Sequence, residues 1–232
     1  MESPGAPRWF LSFDCATKTF GFSICFVDLA GIRDALPRRA AQLAAARELQ
    51  RRGLPFPRIP GLGGFFRIAD GDTVDLAPGV PDAALSTVAR IRALRAYCET
   101  RVDAAVARAR AGRAAPLRVL VEYQMGANAP ARQVSAALVA LYAKEDVALV
   151  APSLKNAVAC SPAGRYSEFA PRFASAYGAN KAQAAFNFAT LEKAFGSGVD
   201  PALPPRLRGH VADSVMQVWG HLIPGAERCD AF

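Results

Sequence analysis

An apolar run from Trp9 to Phe13 closes on an acid, Asp14. After a five-residue link, Cys15 to Thr19, Phe20, Phe22, Ile24 and Phe26 alternate with Gly21, Ser23, Cys25 and Val27. A period of two predicts strands, and the short link predicts an antiparallel hairpin. Ala35 to Arg52 is rich in Ala and Arg and predicts a helix, and the Pro- and Gly-rich stretch 53–64 predicts a loop. Phe65 to Leu76 predicts a third strand with a turn at Gly71. Pro81-Asp82 predicts the start of a long helix to about Ala111, with Leu85, Val88, Ile91, Leu94 and Cys98 as its apolar stripe. Leu117 to Tyr123 predicts the central strand, Gln133 to Lys144 a helix, and Val147 to Ala151 a short strand. Helical segments follow near 164–177, 180–196 and 207–223. A hairpin, then strands separated by helices, predicts an α/β fold with a mixed sheet. One domain spans 1–232, with an insertion at about 30–64.

Composition narrows the function. The 232 residues are 52% hydrophobic and 21% charged, enough to bury a core and too apolar for a disordered chain. Lys plus Arg number 28 against 20 Asp plus Glu, a net charge of +8, which favours a polyanionic partner such as nucleic acid over a cationic one. No apolar run reaches membrane-spanning length, so no membrane is expected as a partner. The first eight residues hold one basic residue and no apolar core, so no secretory or transit leader is expected. Five scattered Cys and two His predict reduced intracellular thiols, without a disulfide framework or a structural zinc site.

Three acids stand where burial makes them costly. Asp14 ends the first strand, Glu122 lies near the end of the central strand, and Asp213 lies in an almost wholly apolar last helix. In that helix Val211, Val215, Val218 and Leu222 form one apolar stripe, widened by Ala212, Met216, Trp219 and Ile223. What remains is a polar stripe of His210, Asp213, Gln217 and His221, with His210 and Asp213 three residues apart and adjacent. A helix apolar over most of its surface is buried, so its polar stripe faces a site or hydrogen-bonding partners. Each acid alone reads equally as a turn, a solvated strand end or a structural pair. Together they predict a carboxylate cluster that needs a counter-charge. Magnesium, an oxygen-seeking ion, supplies one, and a pair of such ions catalyses phosphodiester hydrolysis.

These residues resemble a family. Phe-Asp14-Cys-Ala-Thr-Lys-Thr-Phe-Gly-Phe-Ser is similar to the first hairpin of the RuvC-like branch of the ribonuclease H superfamily. Val-Glu122-Tyr-Gln-Met-Gly-Ala-Asn resembles its central acidic strand, and His210-Val-Ala-Asp213-Ser its terminal helix. Pro-Ser-Leu-Lys155-Asn and Asn180-Lys181 resemble segments of the Holliday junction resolvases of poxviruses and related large DNA viruses. Order and spacing agree from about 9 to 223; residues 30–64 have no counterpart.

The resemblance implies a ribonuclease H-like mixed five-stranded sheet flanked by helices. It further implies a Mg²⁺-dependent endonuclease that resolves four-way DNA junctions by paired symmetric nicks, usually as a homodimer. Asp14, Glu122, His210 and Asp213 would be catalytic and hold two Mg²⁺ ions, with Mn²⁺ able to substitute. Lys18, Lys155 and Lys181 would touch nucleic acid; Lys155 and Lys181 read equally as solvated surface lysines. The setting would be intracellular, where DNA is replicated, a viral factory or nucleus if the source is viral. Two positions depart from the family: His210 stands where many relatives have Asp, and Ala16 where they often have Gly, so a left-handed turn at Ala16 would be strained.

Two other classes compete. The same acids serve a ribonuclease acting on RNA–DNA hybrid or a flap nuclease. An Asp-x-x-Thr hairpin also opens actin-like and sugar-kinase ATP sites, but those need two lobes and a second phosphate loop, absent from this sequence. A binding module without catalysis would retain buried acids that only destabilise it.

Overall fold

The computed structural model describes residues 6–55, 63–124, 128–156, 160, 162–195 and 205–222. It is an α/β fold on one five-stranded mixed sheet, in the order β3-β2-β1-β4-β5. Strands β1 (Arg8–Cys15), β2 (Thr19–Val27) and β3 (Phe66–Asp75) form an antiparallel meander. Strands β4 (Leu117–Glu122) and β5 (Asp146–Val150) continue the sheet in parallel from β1.

Helix α1 (Leu29–Arg51) follows the hairpin, capped by Asp28, whose carboxylate accepts from the Gly31 amide at 2.8 Å. Helices α2 (Thr87–Tyr97) and α3 (Asp103–Arg110) are joined through a wide turn at Cys98–Val102. Helix α4 (Ala129–Leu141) lies between β4 and β5. A single-turn α5 (Tyr166–Phe169), α6 (Ala176–Phe195) and α7 (Pro205–Leu222) complete the order.

The sheet is buried on both faces, and its pleat sorts the side chains. Trp9, Leu11 and Phe13 of β1, with Phe20, Phe22 and Ile24 of β2 and Val119 and Val121 of β4, pack with Leu94, Cys98, Val134 and Leu138 of the α2–α4 layer. The opposite parity holds Phe10 of β1, Cys25 of β2, Ile68 of β3 and Leu120 of β4 against Val215, Met216 and Trp219 of α7. Asp14 shares parity with Phe10, and Glu122 with Leu120. Both acids therefore face α7, and this is what places the site.

Several elements differ from the expectations. Gly71 is not a turn: β3 runs through it, with one extra residue bulging opposite Ile24 and Cys25. A Cβ there would stand 3.0 Å from a Val211 methyl and 3.1 Å from the Phe22 carbonyl, a tight approach that the bare glycine avoids. The long helix starts at Thr87, not Pro81, because the Ser86 hydroxyl caps it by accepting from the Ala89 amide; Asp82–Ala84 forms a separate single turn. Val88 of the expected stripe is exposed, whereas Arg90 is buried and paired with Asp82 at 2.8 Å. The segment 164–177 is a series of short turns. Within the expected insertion, α1 docks Ile32 into the core beside Phe66 and Ile68. Most of the expected loop there, residues 56–62, and Ile223 of the last-helix pattern lie outside the described residues.

Candidate active site

Strand β1 pairs in parallel with β4 up to Phe13 and Val121, so the next residues, Asp14 and Glu122, stand side by side just past that ladder while still paired to β2 and β5. Helix α7 crosses the sheet over these strand ends. Its approach is close: a Cβ on Gly21, the β2 partner of Asp14, would lie 2.5 Å from His210 Cβ. That seat brings Asp213 and His210 to the two strand acids. Asp14, Glu122 and Asp213 are all buried, 4%, 1% and 1% exposed.

The carboxylates surround a single ammonium. Lys155 Nζ lies 3.3 Å from Asp14 Oδ1, 3.4 Å from Glu122 Oε2 and 3.2 Å from Asp213 Oδ2. Lys155 stands on a one-turn helix, Pro152–Asn156, after β5. That turn is pressed to α7, where a Cβ on Gly220 would meet the Leu154 carbonyl oxygen at 2.2 Å. Lys181, from α6, donates to Asp213 and reaches Asp14 Oδ2 at 3.8 Å. His210 Nδ1 lies 2.5 Å from Asp14 Oδ2.

Neutral polar groups fix Glu122. Gln217 donates to Oε2 at 2.5 Å and accepts from the Ser12 hydroxyl at 2.9 Å. Gln124 donates to Oε1 at 2.6 Å and to the Cys15 carbonyl at 2.8 Å. Ser135, from α4, donates to the Glu122 backbone carbonyl at 2.7 Å. Of this scaffold only Gln217 stood out in the sequence, as part of the last helix's polar stripe. Ser12 carries a signal too, as a polar residue in an apolar strand.

Burial and crowding separate the acids. Burial, reinforced by hydrogen bonding and charge from Asp14, pushes Glu122 up to about 9. Burial also opposes ionisation of Asp14, but the His210 contact, Lys155, the hydrogen bond from Glu122 and Lys181 together hold it well below the usual carboxylate range. Asp213 is raised by burial and by the charge of Asp14. Burial disfavours the charged form of Lys155, yet Asp14, Asp213 and Glu122 raise it above an ordinary lysine.

The donor set fits a hard divalent cation. Asp213 Oδ1 is buried without a hydrogen-bond partner, while the lysines meet its other oxygen, Oδ2. Among the described residues no three His, Cys, Asp or Glu side chains form a ready metal-ligand group. The oxygens lie at ammonium distance from Lys155, longer than the roughly 2.0–2.6 Å of Mg²⁺ or Ca²⁺ bonds.

The expected site residues fall into two groups. Asp14, Glu122, Asp213 and His210 come together, and Lys155 and Lys181 join them inside the cluster instead of standing as solvated surface lysines. Lys18 does not: it pairs with Asp75 at 3.0 Å and does not line the pocket. Ala16 lines the pocket without strain, since no described residue other than glycine has a positive φ. The pocket, of about 390 Å³, is bounded by Asp14, Glu122, Lys155, Lys181 and His210, with the exposed Tyr177 also in its wall.

No protein-family model, curated protein or solved structure matches the chain. The site is therefore read from its own residues. Among the described residues no helix is long and apolar enough to cross a membrane.

Proposed function

We propose that the protein is a Mg²⁺-dependent, structure-specific DNA endonuclease with a ribonuclease H-like fold, cutting four-way junctions by paired nicks. The observation that carries this reading is the convergence of three buried carboxylates from β1, β4 and α7 on one cation position. Two further observations support it. The sheet is mixed and five-stranded and flanked by helices, as the resemblance implies. The chain is basic, at +8, although its most buried cluster is acidic, which suits a polyanionic substrate drawn to a cation-holding centre.

In this reading Asp14, Glu122 and Asp213 hold the metal, with His210 as a further donor. Mg²⁺ bound there supplies charge stabilisation and water activation for phosphodiester hydrolysis. Gln217 and Gln124 keep the Glu122 carboxylate aimed. Asp14 engages His210 through Nδ1, which leaves Nε2 as the ring nitrogen free for a ligand or a water. Lys181 and Lys155 are the cations at hand for the phosphate. A pocket of about 390 Å³ accepts a phosphodiester and its flanking sugars but no duplex arm, so the arms lie across its mouth. A twofold homodimer presents two such sites to the two strands of a junction.

The test is cleavage of a labelled synthetic four-way junction, beside matched linear duplex and RNA–DNA hybrid, with Mg²⁺ or Mn²⁺. Paired nicks in the junction alone, absent in Asp14→Asn while junction binding persists, are expected. Cutting of the hybrid instead assigns the same centre to another ribonuclease H-like activity. No cutting of any substrate by the wild type overturns the reading.

A further inference from the structure

We propose that Lys155 is a tethered counter-ion that competes with the divalent cation, so that metal loading requires its ammonium to leave the carboxylate cluster. The inference deepens the metal-dependent reading above and rests on it.

The argument starts from position. One nitrogen stands 3.2–3.4 Å from an oxygen of each of the three acids, the common point at which a shared cation is attracted most strongly. An ammonium and a divalent ion cannot occupy it together. Without the ammonium, three buried carboxylates face one another with Lys181 as the remaining nearby lysine, and like charges at such spacing repel strongly. Lys155 therefore holds the metal-free protein together at its acidic centre.

The same contact opposes metal binding. If the ammonium occupies the cluster about ten times as often as not, apparent metal affinity falls about tenfold. The close seat of Leu154 against Gly220 pins the turn that carries Lys155, so the exchange falls to the side chain's own flexible four-carbon stem. Lys155 and Lys181 both meet Asp213 through Oδ2, and Oδ1 of the same carboxylate stays buried without a hydrogen-bond partner.

The test measures metal binding without DNA. Mg²⁺, Mn²⁺ and Ca²⁺ are titrated calorimetrically into wild type and Lys155→Met, and thermal unfolding is followed in chelator and in excess metal. Lys155→Met is expected to bind each ion about tenfold more tightly. Its melting temperature should fall in chelator and recover with metal. Equal or weaker binding, or a melting loss that metal does not restore, overturns the proposal and leaves Lys155 a structural residue.

Should Lys155→Met fail to fold in chelator, amine acylation of the wild type reads the same exchange. Lys155 should label slowly in chelator and faster with metal, while the exposed Lys144 and Lys193 label alike in both. Unchanged Lys155 labelling in a protein that binds metal overturns the proposal. Junction cleavage run on the same wild-type preparation separates the two failures. Cutting with unchanged labelling sinks the role of Lys155 alone. Absence of both cutting and metal binding sinks the metal-dependent reading and the inference with it.

Discussion

Gly21 is where strand β2 meets helix α7, and replacing it by alanine perturbs the site without touching a charged group. The new Cβ would stand 2.5 Å from His210 Cβ, 3.2 Å from the His210 carbonyl carbon and 3.4 Å from its Cα. Ordinary carbon contacts lie at about 3.5–4.0 Å, so the two surfaces must part by about 1 Å. No rotamer change relieves this, because all three atoms are fixed to the helix backbone. Such overpacking costs about 1–3 kcal/mol. The shift also carries Asp213 and His210 away from Asp14, and a misplacement of about 1 Å lowers a catalysed rate on the order of 100-fold. Urea unfolding measures the first effect and junction cleavage at saturating Mg²⁺ the second. Gly71→Ala is the comparison, because its nearest atoms, a Val211 methyl and the Phe22 carbonyl, lie at 3.0 and 3.1 Å where Gly21 would meet one at 2.5 Å; its loss should be smaller. Wild-type unfolding midpoint and cutting rate for Gly21→Ala would refute the claim that α7 is seated rigidly on β2.

Two further predictions concern the scaffold. Asn187 accepts from the Cys160 amide at 2.9 Å and donates to the Gly164 carbonyl at 3.0 Å, tying the stretch after Lys155 to α6. Asn187→Ala should cost about 1–3 kcal/mol in urea unfolding, since it removes the acceptor of the buried Cys160 amide while Gln183 still donates to the Gly164 carbonyl, and should speed acylation of Lys155. Asp70 is raised by burial, but its hydrogen bond with Arg101 and that residue's charge hold it below the usual carboxylate value. A carboxylate lowered in the folded state adds stability above its unfolded pKa, and that stability is lost as pH falls through the folded value. Arg101→Met should therefore destabilise the protein at about pH 7, with the difference from wild type shrinking toward about pH 2. A constant difference across that range would refute the assignment.

The sequence pattern exposed the parts whose physics is local or periodic. Alternation in Phe20–Val27 marks β2 because its pleat separates two cores, and the aliphatic run 117–122 marks a strand buried on both faces. The nearly all-apolar turn around Asp213 marks a helix buried on every side. Long-range contacts were not visible in this way. The resemblance marks Lys155 for nucleic-acid contact and its sequence context allows a surface lysine equally; its place among the carboxylates is set by the turn after β5 pressed onto α7. Val88 follows the helical stripe yet lies exposed, because the helix begins at Ser86 and turns that position outward. Gly71 looks like a turn residue, but its small size answers to Val211, 140 positions away in the chain. Gln124 appears only as part of the Glu-Tyr-Gln motif, with no role assigned, and Ser135 carries no signal: their donation to Glu122 is set by the sheet's register and the seat of α4.

The hydrogen bond from Ser12 to Gln217 joins residues 205 positions apart. It reports how the centre comes into being. The acids belong to the first strand, the fourth strand and the last helix, and the lysines to two further segments. Until parallel pairing of β1 with β4 and docking of α7 are complete, each carboxylate remains solvated and unopposed, and no two of the three share a surface. Contacts of such sequence separation form late and slowly. The mutual repulsion of the acids is thus deferred to the final step of folding, where the lysines arrive with it. A partly folded chain, or a fragment lacking either end of the scaffold, would carry no assembled carboxylate cluster.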